Sequence, residues 1–240
     1  MGHRILGVIG GIGPESTLDY YRRLIDGYHG RVGMASHPPV LIDSLDGGRL
    51  IPFIIAGDLE PVRAGVARAV EQLAAGGAGI ALVASVATHV VYDLVAPHAP
   101  IPMLSIVEAT CRAAVAVGVR RPALFGTRVS VEGVYFARPF EAAGIEIVRP
   151  PEPDRTWIHD AYVGELVAGT FRDETRSRML DILAGLVQSD GADALILGGT
   201  ELSLLLPEAS YLGIPVLNAA AIHVSEALDW LTGGDLPGPS

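Results

Sequence analysis

The sequence predicts an α/β fold made of two similar lobes, each with a parallel sheet, and three observations predict it. Short apolar runs recur along the 240 residues with longer helical patterns between them. Runs without polar alternation suit strands buried on both faces, as in parallel sheets covered by helices. Half of the chain is apolar and only 18% is charged, which supplies a sizeable core. The pattern also repeats. Ala81-Leu82-Val83-Ala84-Ser85 runs on to Ile101-Pro102-Met103-Leu104, and Ala194-Leu195-Ile196-Leu197-Gly198 runs on to Ile214-Pro215-Val216-Leu217, with the same Ala-to-Pro spacing. A second echo pairs Val8-Ile9-Gly10 and Tyr20-Tyr21 with Leu124-Phe125-Gly126 and Tyr135-Phe136.

In chain order, strands are expected at residues 5–9, 40–42, 79–84, 103–104, 123–125, 145–148, 194–197 and 216–217. Helices are expected at 15–28, 59–75, 106–117, 131–143, 172–188 and 219–231, where apolar residues recur at helical spacing. The first lobe takes residues 1–101 and 212–240, the last strand and helix crossing back to complete it. The second takes 102–211. The tail 233–240 is rich in Gly and Pro and is expected to fray. In open α/β sheets a ligand sits outside the carboxyl ends of the strands, so two facing lobes place one site in the cleft between them.

Composition excludes several functions. The net charge is −10, a poor basis for binding nucleic acid or an anionic membrane. Cys111 is the single cysteine, so no disulfide forms within the chain and no zinc site rests on paired cysteines. Every cation among the 17 Lys+Arg is arginine, and without lysine no Schiff base forms. No cofactor and no metal are expected. The start carries no signal-peptide pattern, and the expected location is the cytoplasm.

Four motifs carry candidate chemistry. Gly10-Gly11-Ile12-Gly13-Pro14 follows a strand and opens a helix, where backbone N–H groups hold carboxylate or phosphate. Ser16 stands where a dinucleotide fingerprint wants glycine, and no lysine completes a phosphate loop. Ser85-Val86-Ala87-Thr88-His89 ends a strand. Ser85 suits a nucleophile or a helix cap, and His89, one turn on, suits a base or a packing role. Gly198-Gly199-Thr200-Glu201 is the matching turn in the second half. There Thr200 caps, Gly199 leaves space, and Glu201 is an acid–base candidate or a partner for the helix dipole. Asn218 ends the last strand, with His223 one turn into the helix that follows.

Together these motifs resemble the aspartate/glutamate racemase superfamily, which works without pyridoxal phosphate, and its aspartate racemase branch in particular. The resemblance rests on Gly10 to Thr17 with Tyr20-Tyr21, Leu41-Ile42-Asp43-Ser44, Gly126-Thr127-Arg128, Glu141-Ala142-Ala143-Gly144-Ile145-Glu146, Glu165-Leu166-Val167-Ala168-Gly169, Thr200-Glu201-Leu202 and Ile222-His223. It implies two pseudo-symmetric lobes of Rossmann-like or flavodoxin-like type, a site in the inter-lobe cleft, a homodimer, and carboxylate binding by Gly11, Gly13, Ser44, Val86, Thr127, Gly199, Thr200 and Asn218. The superfamily's racemases use two cysteines on opposite faces of the substrate α-carbon. The first usually stands in Ala-Cys-Asn-Thr-x-His, which here reads Ala84-Ser85-Val86-Ala87-Thr88-His89. The second usually stands in Gly-Cys-Thr-Glu, which here reads Gly198-Gly199-Thr200-Glu201. A frequent lysine is Thr170 here.

A serine hydroxyl is far less acidic than a thiol, and glycine transfers no proton. The expectation is therefore a repurposed enzyme acting on a small carboxylate or amino-acid-like substrate. Proton transfer, decarboxylation, lyase or isomerase chemistry would fall to Ser85, His89, Glu201 or His223. Two alternatives stand beside it: a non-catalytic carboxylate binder or partner subunit, and a Ser85-dependent hydrolase or acyl-transfer enzyme.

Overall fold

The computed structural model describes residues 4–236, which divide into two compact units. The first holds the described residues up to Ile106 and those from Ala220 onward; the second holds Val107–Ala219.

The first unit begins with β1 (Leu6–Gly10), whose five residues are all buried. Pro14 opens α1 (Pro14–Val32) at a position where its missing N–H costs nothing. Then come β2 (Val40–Ser44), α2 (Gly47–Ala56), α3 (Leu59–Ala75) and β3 (Ile80–Val83). A 3-10 turn (Ala87–Val91), the single turn α4 (Tyr92–Val95) and a second 3-10 turn (Ala96–His98) lead to β4 (Met103–Leu104). The sheet order is β2-β1-β3-β4 and every pairing is parallel. One face carries Leu6, Val8, Leu82 and Leu104 in a core shared with Tyr20, Leu24, Val224, Leu228 and Leu231.

In the second unit α5 (Ile106–Ala116) leads to β5 (Pro122–Gly126), α6 (Arg128–Glu132), α7 (Val134–Ala142) and α8 (Asp154–Ala161). A π-helical turn (Tyr162–Leu166) extends α8, and α9 (Asp173–Asp190) follows. The chain then forms β6 (Ala194–Gly198), the short α10 (Leu202–Leu205), β7 (Ser210–Tyr211) and β8 (Ile214–Asn218). Finally α11 (Ala219–Leu231) leaves the second unit and completes the first. The sheet order is β5-β6-β8-β7, parallel except for the β7–β8 hairpin. Phe125, Leu195 and Leu197 pack there against Ile158, Tyr162, Leu166 and Leu183.

Four features differ from the expectation. Residues 103–104 pair with β3 in the first sheet, and β8 pairs with β6 in the second, so only helix α11 crosses back. The stretch 145–148 contributes a single bridge, Ala123 to Val148, because Pro150 and Pro151 beyond it have no N–H to extend a ladder. Gly133 splits the helix expected at 131–143: a Cβ there would lie 2.4 Å from the Val129 carbonyl oxygen. The tail expected to fray lies partly outside the described residues.

Candidate functional site

In parallel sheets the carboxyl ends of neighbouring strands meet at one edge, and each unit gathers its candidates there. In the first unit Gly11 and Gly13 follow β1, Ser44 ends β2, and Ser85 and Val86 follow β3. In the second unit Thr127 follows β5, Gly199, Thr200 and Glu201 follow β6, and Asn218 ends β8. His223 is the exception, lying on α11.

The β1 turn is closed upon itself. Gly11 has φ 77°, a left-handed conformation, and a Cβ on it would stand 2.1 Å from the Leu45 carbonyl oxygen. Its N–H donates to Thr17 Oγ1 at 2.9 Å, and its carbonyl accepts from Gly47 N–H at 3.0 Å. Gly11 therefore supplies close approach rather than a free donor. Gly13 precedes α1, whose first turn contains Glu15. One oxygen of the neighbouring Asp43, Oδ2, is buried without a hydrogen-bond partner. Sequence reading quoted Asp43 only as part of a motif, since nothing in its neighbours marks an orphaned carboxylate.

Ser85 is buried, and its Oγ accepts from the Thr88 hydroxyl at 2.9 Å and from the Thr88 N–H at 3.4 Å. That is the geometry of a cap on the turn that follows. His89 is 2% exposed. Its Nδ1–H donates to the Ser85 carbonyl at 2.7 Å, and its Nε2 accepts from Ile106 N–H at 3.2 Å. Both ring nitrogens are thus committed to backbone, which fixes the neutral tautomer. Burial drives the pKa down to about 4, outweighing the Ser85 and Leu104 carbonyls and the Asp93 charge that favour the cation. His223 is likewise fully buried. Its Nε2–H donates to the Leu104 carbonyl at 3.1 Å, and its Nδ1 lies 3.1 Å from the Tyr20 hydroxyl. The two imidazoles sit edge to face with centroids 6.0 Å apart. Both rings tie down the chain around β4, at 104–106.

The second unit keeps an ionisable group at its strand end. Glu201 is 3% exposed. Its Oε2 accepts from the Thr200 hydroxyl at 3.0 Å and from the Tyr162 hydroxyl. Burial first, and then the Glu201 charge, hold the Tyr162 phenol well above its ordinary pKa, so it stays protonated and donates. Thr127 precedes α6, and its hydroxyl pairs with Ser130 at 3.3 Å. Asn218 is half-buried and engaged. Cys111 is buried, its thiol directed at the Pro139 carbonyl at 3.3 Å, and burial pushes its pKa up. Tyr162 was not foreseen: no local pattern announces it, because only the fold of the second unit brings residue 162 beside residue 201.

The family model for Asp/Glu/hydantoin racemases matches residues 9–227. The chain belongs to the Asp/Glu/hydantoin racemase family. Among solved structures, this family member is similar to a candidate Asp/Glu racemase from Yersinia pestis, with 27% identity and a TM-score of 0.85 over 95% of this chain and 99% of that one. It is also similar to an aspartate racemase homologue from Pyrococcus horikoshii OT3, with 25% identity and a TM-score of 0.80 over 96% and 99%. The fold extends to an aspartate racemase from Picrophilus torridus, with 18% identity and a TM-score of 0.73 over 98% and 96%. The two α/β units with mainly parallel four-stranded sheets are those of the racemase fold. Among the described residues no helix is long and apolar enough to cross a membrane.

Proposed function

We propose that this racemase-family protein is an enzyme acting on a small carboxylate or amino-acid-like substrate, by proton-transfer chemistry that does not use a pair of thiols. The observation that supports this most directly is the pair of strand ends. Ser85 and Gly199 stand where the resembling motifs carry cysteine, while Glu201, in the same turn as Gly199, is buried with its carboxylate held by two hydroxyls. Glu201 is the general acid–base group of this reading, its carboxylate oriented by the Thr200 and Tyr162 hydroxyls that donate to it.

The test has two stages. Aspartate and glutamate incubated with the protein in D2O should keep their α-protons and optical rotation; robust wash-in would return the protein to ordinary racemisation. Calorimetry against small amino and dicarboxylic acids, followed by a search for product, should then find a ligand that is converted, and E201Q should slow that conversion by about 10²–10⁴-fold. Binding without conversion would instead support a carboxylate-binding protein, a reading favoured by the Ser85 hydroxyl having a capping partner but no base. The hydrolase reading, with His89 or His223 as base, draws less support from this geometry, since the ring nitrogens of both histidines already have partners.

A further inference from the structure

Gly199 has an unusual neighbour. A Cβ built on it would stand 2.3 Å from Tyr162 Cε2, 2.7 Å from Tyr162 Oη and 2.8 Å from Tyr162 Cζ. Gly199 does not have a positive φ, so its backbone would accept another residue; what excludes one is the phenol. The ring is 5% exposed and its hydroxyl is bonded to Glu201, so it cannot move aside without giving up that bond. Tyr162 reaches this place from the first residue of the π-helical turn Tyr162–Leu166. Such single turns, which displace a side chain relative to regular α-helix, recur at functional sites.

We propose that Tyr162 is a specificity-determining residue of the second unit's strand-end site. Its ring fills the side-chain space of residue 199, and its hydroxyl fixes the Glu201 carboxylate, so a phenol–carboxylate pair sets the chemistry there in place of any side chain at 199. The chemical part of this rests on the function proposed above; the steric part stands on the geometry alone. The pair suits a substrate that presents an N–H or O–H donor at this end, because both hydroxyl protons are already given to Glu201, leaving its carboxylate and the hydroxyl oxygens to accept.

A mutant cycle on the full chain tests the assignment by thermal unfolding. G199A should lower the midpoint by on the order of 5 °C. Y162A/G199A should be no less stable than Y162A, and Y162F/G199A should remain as destabilised as G199A, because the nearest atom belongs to the ring. In the cysteine version, the Y162A/G199C thiol at 199 should react with a disulfide reagent at least ~10-fold faster than in G199C, since exposure governs thiol access. The Tyr162 hydroxyl proton should appear as a slowly exchanging downfield resonance in the wild type, be absent from Y162F, and move upfield in E201Q, where the acceptor is neutral. Equal cost of G199A in both backgrounds, equal thiol reactivity, or a resonance indifferent to E201Q would each overturn the assignment. None of these readouts needs a substrate. Their failure removes Tyr162's role and leaves the proposed function standing, whereas a panel in which no carboxylate binds removes the function and leaves the cycle intact.

Discussion

At the scale of single residues, buried His89 shapes how the first unit responds to acid. His89 has a folded pKa of about 4, against roughly 6.5 for an ordinary histidine. Its depressed value means the unfolded chain binds the proton more readily. The stability it contributes is therefore complete above about pH 6.5 and is lost as the pH falls toward 4. The loss is on the order of 3 kcal/mol, since each tenfold difference in proton affinity between the folded and unfolded chain corresponds to about 1.4 kcal/mol. Denaturant titrations of wild type and H89Q between pH 7 and pH 4 check this, and the wild type should show the steeper decline. At pH 7, H89A should cost about 2–4 kcal/mol, because it leaves a cavity and orphans the Ser85 carbonyl and the Ile106 N–H. Ser85, lacking a base, should not react with a serine-directed phosphonate, as mass spectrometry of the treated protein would show.

At the scale of elements, the sequence located those whose ends are set by local chemistry. The helices expected at 59–75 and 219–231 have those bounds in the structure, and the strand at 103–104 likewise. It missed α2, whose interior Pro52 reads as a helix breaker although Asp46 caps its start and Gly57 ends it in a left-handed turn. It read one helix across Gly133, where the backbone is extended (φ −67°, ψ 126°) and ends one helix before the next begins. The site was legible to the same degree. Strand-end turns such as Gly10 to Pro14 and Gly198 to Glu201 announce themselves by glycine and capping residues. By contrast, the commitment of His89 to backbone and the approach of Tyr162 to Gly199 depend on tertiary geometry. Gly11 gives the element-scale prediction. G11A should lower stability by more than about 1 kcal/mol, since it combines a left-handed φ with a carbonyl in the Cβ position. Chemical denaturation of G11A beside G144A, where φ is 74° but nothing lies within 4 Å, separates the carbonyl clash from the general cost of a left-handed residue.

At the scale of the whole molecule, the chain follows a family scaffold over residues 9–227. The same scaffold interrupts its first unit. Helix α11 supplies Ala220, Val224, Ala227, Leu228 and Leu231 to the core built on β1 and β3, and Arg31 reaches it through Asp229 at 2.7 Å. Each fully buried Leu or Val contributes about 1.5–3 kcal/mol, so the sheet of the first unit is incomplete without that helix. Deleting residues 220–240 should leave the first unit unable to fold, with loss of the cooperative transition and dye binding to exposed apolar surface. That dependence has a consequence for synthesis. The strands of the first unit must wait, with one face only partly covered by α1, while the whole second unit is translated, an interval on the order of ten seconds at typical elongation rates. The order of synthesis and the order of completion are reversed: the second unit can finish before the first, whose strands keep apolar surface exposed in the meantime.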